Sequence, residues 1–223
     1  MNWQPLWLSF ELATVTMLML LLIATPIAYH LAFTRSRWRG LLEAVFALPL
    51  VLPPTVLGYF VLVACGRQSI LGEWYQNLFG TTLVFSFQGM VLASILYSLP
   101  FAVQPMQNAF AAVDRRFIDV ARTLGCNGWQ SFIRILLPAA RVGVITGAML
   151  SFAHTVGEFG VVLMVGGGIP GKTDVASIAI YQHVENLEYA QANTMALIML
   201  AFSFIFLSLI YHFNQRASRL LMR

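Results

Sequence analysis

Five long apolar stretches, separated by short polar and arginine-bearing segments, dominate the hydropathy pattern of this chain. A helix needs about 20 mostly apolar residues to cross a bilayer. The stretches run from about Leu6 to Phe33, Ala44 to Ala64, Leu83 to Val103, Val142 to Val165 and Thr194 to Phe213. They predict an all-α polytopic membrane protein with about five transmembrane helices. A re-entrant or peripheral helix over Ala176–Tyr189 would make six. The second stretch carries Pro49, Pro53 and Pro54 inside its apolar run. Each interior proline costs a helix about 3 kcal/mol and strands a carbonyl, which hydrocarbon does not tolerate unless protein or a wet cavity satisfies it. Pro53 and Pro54 therefore mark either a broken helix lining a path or a kink that improves packing.

Composition agrees. Of 223 residues, 59% are hydrophobic and 10% charged, against about 25% charged in soluble domains. A water-soluble fold of this size could not cover itself. The net charge of +4 excludes a nucleic-acid face by its distribution, because the arginines sit in short clusters between apolar runs. Arg35, Arg37 and Arg39 follow the first run; Arg115, Arg116, Arg122, Arg134 and Arg141 lie between the third and fourth; Arg216, Arg219 and Arg223 end the chain. The alternate loops hold only Arg67 and Lys172. Cytoplasmic loops are enriched in Lys and Arg, so this asymmetry predicts an N-terminus outside. Cys65 and Cys126 then fall on opposite sides of the membrane and cannot pair. The first run lacks a basic leader and is too long for a signal peptide. No repeat or long linker interrupts the chain, which reads as one domain over about residues 6–214.

The segment from Asp114 to Pro138 is the most informative polar stretch. Phe117, Val120, Ala121 and Leu124 recur at helical spacing as one apolar stripe. Asp114 suits an N-cap and Gly125 a C-terminal glycine. Asn127 caps a second helix with the stripe Trp129, Phe132, Ile133 and Leu136, and Pro138 turns the chain back to the membrane. A helix of about ten residues is roughly 15 Å long, so the loop forms a compact knob on the cytoplasmic face. It suits a docking element or an interfacial loop. Tethering to membrane spans at both ends argues against a DNA-binding helix-turn-helix.

Other polar constellations are weaker. Gly166–Thr173 satisfies the phosphate-loop pattern G-x-x-x-x-G-K-T and follows a β-branched run, Val161–Val165. Its outside position, the lack of a magnesium-binding partner and the missing N–H of Pro170 point instead to a Gly-Pro turn. His154 and Glu158 stand four apart on the fourth apolar run, where they share a helix face and can touch. Intramembrane ionisable residues face a bundle interior or a path, so the pair reads as a gate or as a structural contact. A fixed Glu158 charge would repel an anion. His183, Glu185 and Glu188 are ordinary residues of a polar loop, and no metal site or catalytic constellation is expected.

The stretch Asp119-Val-Ala-Arg-Thr-Leu-Gly-Cys-Asn-Gly-Trp-Gln-Ser-Phe-Ile-Arg-Ile-Leu-Leu-Pro138 resembles the Glu-Ala-Ala loop of type I ABC importer permeases, the MetI-like fold. Ala121, Gly125, Leu137 and Pro138 match directly, while Asp119 stands for the usual Glu and Val120 for the first Ala. Pro49–Gly58 and Leu150–Gly160 are similar to molybdate permease subunits, with parts shared by sulfate and tungstate permeases. The resemblance covers about Leu6 to Asn214. It implies a non-catalytic permease subunit of the inner membrane, working as a homodimer. It also implies two ATP-binding cassette subunits, which hold the ATP and magnesium, docked on the loop of Asp114, Arg115, Phe117, Asp119, Ala121, Leu124, Gly125 and Pro138. A periplasmic binding protein would deliver the oxyanion. The residues alone leave two other readings: a proton-coupled carrier using His154 and Glu158, and a membrane anchor without a path.

Overall fold

The computed structural model describes residues 2–221, with side chains through His212. The basic residues Arg216, Arg219 and Arg223 therefore lie outside the described side chains. Among the described residues the secondary structure is helical throughout. The helices are α1 (Gln4–Phe33), α2 (Arg39–Ala47), α3 (Pro54–Cys65), α4 (Ile70–Phe79), α5 (Phe87–Ala112), α6 (Arg115–Thr123), α7 (Gly128–Ser131), α8 (Leu137–Ala139), α9 (Arg141–Val156), α10 (Gly160–Gly166), α11 (Ala176–Glu185) and α12 (Tyr189–Leu221).

Three of these, α1, α5 and α12, are long and apolar enough to cross a membrane alone, and the number rises to five if each of two bent pairs is one span. The first pair is the second apolar run. It is interrupted after a 3₁₀ turn at Leu48–Leu50 and bends by 102° before α3. Pro49 sits in that turn, Pro53 is the N-cap residue of α3 and Pro54 its first residue. The break is the physical consequence of prolines that lack the N–H a continuous helix needs. The second pair joins Gly128–Ala139 to α9 at 73°.

The fourth run departs from its expected single span over Val142–Val165. Helix α9 ends at Val156, and Gly157–Phe159 carry the chain into the separate α10. The extra helix expected near Ala176–Tyr189 is present as α11. Helix α4 was not anticipated, although its signals are visible: the Ser69 hydroxyl accepts from Gly72 N at 2.9 Å, and Gly80 closes the other end in the left-handed region at φ +70°.

The core is a three-helix unit of α1, α5 and α9. Leu20, Ala24, Ala28 and Leu31 of α1 meet Ala102, Val103, Met106 and Phe110 of α5, with Leu136 and Ala140 beneath them, all essentially buried. Small residues on both sides bring the backbones close, the usual way helices pack where lipid competes for apolar side chains. A second cluster joins Leu57, Val61 and Cys65 of α3 to Ala93 of α5 and Val161 and Val165 of α10. Here α3 and α10 touch through glycine, since a Cβ on Gly58 would stand 2.8 Å from Met164 Cβ.

Candidate functional site

Two features bear on function: a cavity where the two chain breaks meet, and the capped knob between α5 and α9. The cavity, about 580 Å³, is lined by Pro54 and Thr55 at the start of α3, Tyr97 of α5, Ala153 and His154 of α9, and Gly157–Gly160. Pro54 and Gly160 are in such close approach that a Cβ on the glycine would lie 2.9 Å from Pro54 Cβ. Of the expected gate residues, the structure thus gathers Pro54, His154 and Glu158, while Pro53 is not part of the lining.

The expected contact between His154 and Glu158 is not made. Because α9 stops at Val156, Glu158 leaves the helical register, and its main-chain N–H turns back to Thr155 O at 3.2 Å. His154 Nδ1 instead meets Ser98 Oγ at 2.8 Å, Ser98 Oγ lies 3.0 Å from Thr155 Oγ1, and the imidazole stacks on Phe101 at 4.0 Å. The Glu158 carboxyl is buried beside the Ser94 hydroxyl, with no other hydrogen-bonding side chain on either oxygen. Ser94, Tyr97 and Ser98 of α5 are functional candidates that sequence reasoning missed. Ser94 and Ser98 are four apart on one face of α5, within an otherwise apolar stretch from Met90 to Phe101 that also holds Tyr97, and that face was the available signal.

The phosphate-loop look-alike is a closed turn. Val161–Val165 are helical, not a strand. The Thr173 hydroxyl donates to Gly166 O at 2.7 Å and accepts from Ile169 N at 2.9 Å, so it is spent within the turn. Gln4 and Gln182 donate to its carbonyls at Gly171 and Gly168. Burial raises the neighbouring Asp174 carboxyl above its ordinary range, with His183 pulling the other way. His183 Nδ1 pairs with Glu188 at 2.6 Å, and Tyr181 donates to Glu185 at 2.5 Å.

The 114–138 knob forms largely as its caps require. Asp114 Oδ1 accepts from Arg116 N at 2.9 Å. At the other end, Cys126 N donates to Ala121 O and Gly125 N to Arg122 O, both at 3.0 Å, with Gly125 at φ +84°. That is a Schellman ending, which needs a residue at ease in the left-handed region. Asn127 and Gln130 form a reciprocal capping box on α7. The second helix then differs from expectation. Residues Phe132–Leu136 form a π turn, in which Leu137 N donates to Phe132 O. Pro138 has no N–H to offer Arg134, and widening the turn accommodates the loss. Removing the cap is a direct check: Asn127→Ala should weaken the start of α7 by about 1 kcal/mol, visible as faster amide hydrogen exchange over residues 129–131.

The knob is clamped to the bundle by aromatic rings. Phe132 lies 5.5 Å from Tyr29, 6.1 Å from Phe110 and 5.8 Å from Trp129, and the Arg115 guanidinium sits 5.5 Å over the Phe33 ring. Within α6 only Ala121 is fully buried. Phe117, Val120 and Leu124 are 64%, 57% and 79% exposed, so most of the stripe faces away from the chain. Asp119 and Arg122 approach at 3.9 Å on the surface, a separation worth little.

An all-helical fold with broken spans, a lined cavity at the breaks and a rigid loop knob defines a membrane transport component. The chain belongs to the family described as binding-protein-dependent transport system inner membrane component, whose model matches residues 12–219. It is 53% identical to the molybdenum transport system permease protein ModB of Azotobacter vinelandii, over 92% of this chain and 90% of that protein. Its counterpart in Escherichia coli strain K12 is 37% identical over 82% of this chain and 80% of its own length. The sulfate transport system permease protein CysT of the same strain is 32% identical, covering 83% of this chain and 68% of that protein. Among solved structures, the MetNI methionine ABC transporter superposes with a TM-score of 0.71 at 18% identity, covering 98% of this chain and 95% of that one. A bacterial alginate ABC transporter gives 0.76 at 14% identity, over 96% and 78%. These two establish the fold alone.

Proposed function

We propose that this chain is the permease subunit of an ATP-driven importer that carries molybdate across the inner membrane. The carrying observation is the exposed apolar triad Phe117, Val120 and Leu124 on a helix capped at both ends and pinned to α1 and α5 through Arg115 and Phe132. Such a helix moves as a rigid body, so a displacement imposed on it reaches the spans through packed rings. Its occupant is an ATP-binding cassette subunit, one per permease copy in a homodimer, and ATP and magnesium belong to that partner. The arginine asymmetry supports five spans, with the N-terminus outside and the knob in the cytoplasm. A periplasmic binding protein delivers the anion, and this chain is not itself an enzyme. Molybdate is favoured over sulfate by the higher identity to molybdenum permeases than to the sulfate permease.

The test is reconstitution in vesicles with the ATPase and binding protein, with labelled molybdate competed by tungstate and sulfate. Uptake should require ATP and be displaced by excess unlabelled molybdate before sulfate. Uptake that runs without ATP and collapses with the proton gradient would instead assign a secondary carrier.

A further inference from the structure

The Glu158 carboxyl is 4% exposed, lies among the residues lining the cavity between the two chain breaks, and has no hydrogen-bonding side chain on either oxygen other than Ser94. The Ser94 hydroxyl stands beside it and has no other partner. The groups facing it can be named element by element. Helix α5 presents Ser94, Tyr97 and Ser98, α9 presents His154, and α3 presents Pro54 and Thr55. From α11, Ser177 donates to the main-chain carbonyl of Glu158 at 2.6 Å and leaves the carboxyl alone. Helix α10 carries no titratable residue. Tyr97 and His154 are thus the titratable neighbours, and His154 is engaged with Ser98. Among the described residues, no lysine or arginine lines the cavity.

An ionised carboxylate in such a place has no counter-ion and only the Ser94 hydroxyl to replace its water, which is among the costlier arrangements in a protein interior. The burial comes from this chain itself, so a second subunit cannot supply the missing cation. A fixed negative charge would also oppose an anionic cargo. We infer that Glu158 is held beside the cavity as a neutral, enclosed carboxylic acid, so that an oxyanion passing the chain breaks meets no negative charge there. The passage of an oxyanion rests on the permease reading; the proton on Glu158 does not. A neutral carboxylic acid has one O–H donor, and the adjacent Ser94 hydroxyl is there to receive it. Raising the pH far enough to remove that proton places a charge in the path and slows uptake.

The experiment compares wild type and Glu158→Gln in the assembled transporter, by infrared spectroscopy and by molybdate uptake across a pH series. The wild type should show a protonated-carboxyl stretch at neutral pH that shifts on ¹³C-glutamate labelling and is missing from Glu158→Gln. The variant, which is neutral at every pH, should lose the alkaline decline in uptake. If Glu158→Gln does not assemble, Glu158→Asp replaces it, and the band should then cease to respond to the glutamate label. A wild type without a protonated glutamate at neutral pH overturns the assignment. A folded Glu158→Gln protein that keeps the full alkaline decline overturns the assignment of that decline to Glu158. If the band is present but molybdate is not carried, the permease reading fails while the proton assignment stands.

Discussion

Gly147→Leu should lower the thermal midpoint of the purified permease by roughly 5–10 °C, the scale expected for about 2–3 kcal/mol of overpacking in a chain of this size. A Cβ at this position would stand 2.7 Å from the Ala102 carbonyl oxygen and 3.1 Å from Met106 Cε. The carbonyl belongs to the backbone of α5 and cannot swing aside. One turn earlier, a Cβ on Gly143 would run into Ala109 Cβ and the Pro105 carbonyl. The two glycines, four apart, hold α9 against α5 at backbone distance. The damage should therefore spread to the α1–α5–α9 core and reduce the amount of permease recovered from membranes. Gly40, whose Cβ would meet nothing within 4 Å, supplies the control: Gly40→Ala should leave the midpoint unchanged or slightly raised, since alanine is the better helix former. Equal midpoints for Gly147→Leu and wild type would show that this contact does not set the helix spacing.

Gly125→Val should leave the bundle folded and yet reduce coupled uptake by about tenfold, the equivalent of 1–2 kcal/mol lost from a docking geometry. Nothing lies within 4 Å of a Cβ at this position, so the effect has no steric component outside the residue. It comes from φ +84°, a region that costs a β-branched residue about 1–2 kcal/mol. Relaxing that angle unwinds the Schellman ending and changes the direction in which α6 leaves α7. Phe117, Val120 and Leu124 would then no longer be presented at the angle set by the aromatic clamp. ATP hydrolysis by the partner should continue while molybdate uptake falls. Gly125→Asn should retain most uptake, because asparagine tolerates the left-handed conformation. Full uptake by Gly125→Val would remove the knob from the transmission path.

How legible each feature was in the sequence depended on how local its cause is. The caps of the knob are contacts between residues two to five apart, so Asp114, Gly125 and Asn127 could be assigned from spacing alone. The π turn at Phe132–Leu136 is local too, but the cost of Pro138 admits several remedies, and the chain's choice is visible only in its hydrogen bonds. His154 and Glu158 went the other way. Spacing placed them on one helix face, but a helix face exists only while the helix continues, and α9 ends between them. Hydropathy does not register that break, because Gly157–Phe159 interrupt an apolar run without making it polar. The Gly143–Gly147 spacing was available as a packing signal, but its partner surface on α5 was not.

Composition and local spacing specify the solvent, the helical class, the prolines that disturb the second run and the capped form of the 114–138 loop. These follow from composition and from interactions within a few residues. Packing between distant segments sets the rest: the two breaks meet around one cavity, Ser98 rather than Glu158 is the partner of His154, and Glu158 is enclosed without a counter-charge. Those outcomes depend on which helix faces α5 receives from α1, α3, α9 and α10. Close packing between residues tens of positions apart selects among many arrangements that the same hydropathy pattern would allow.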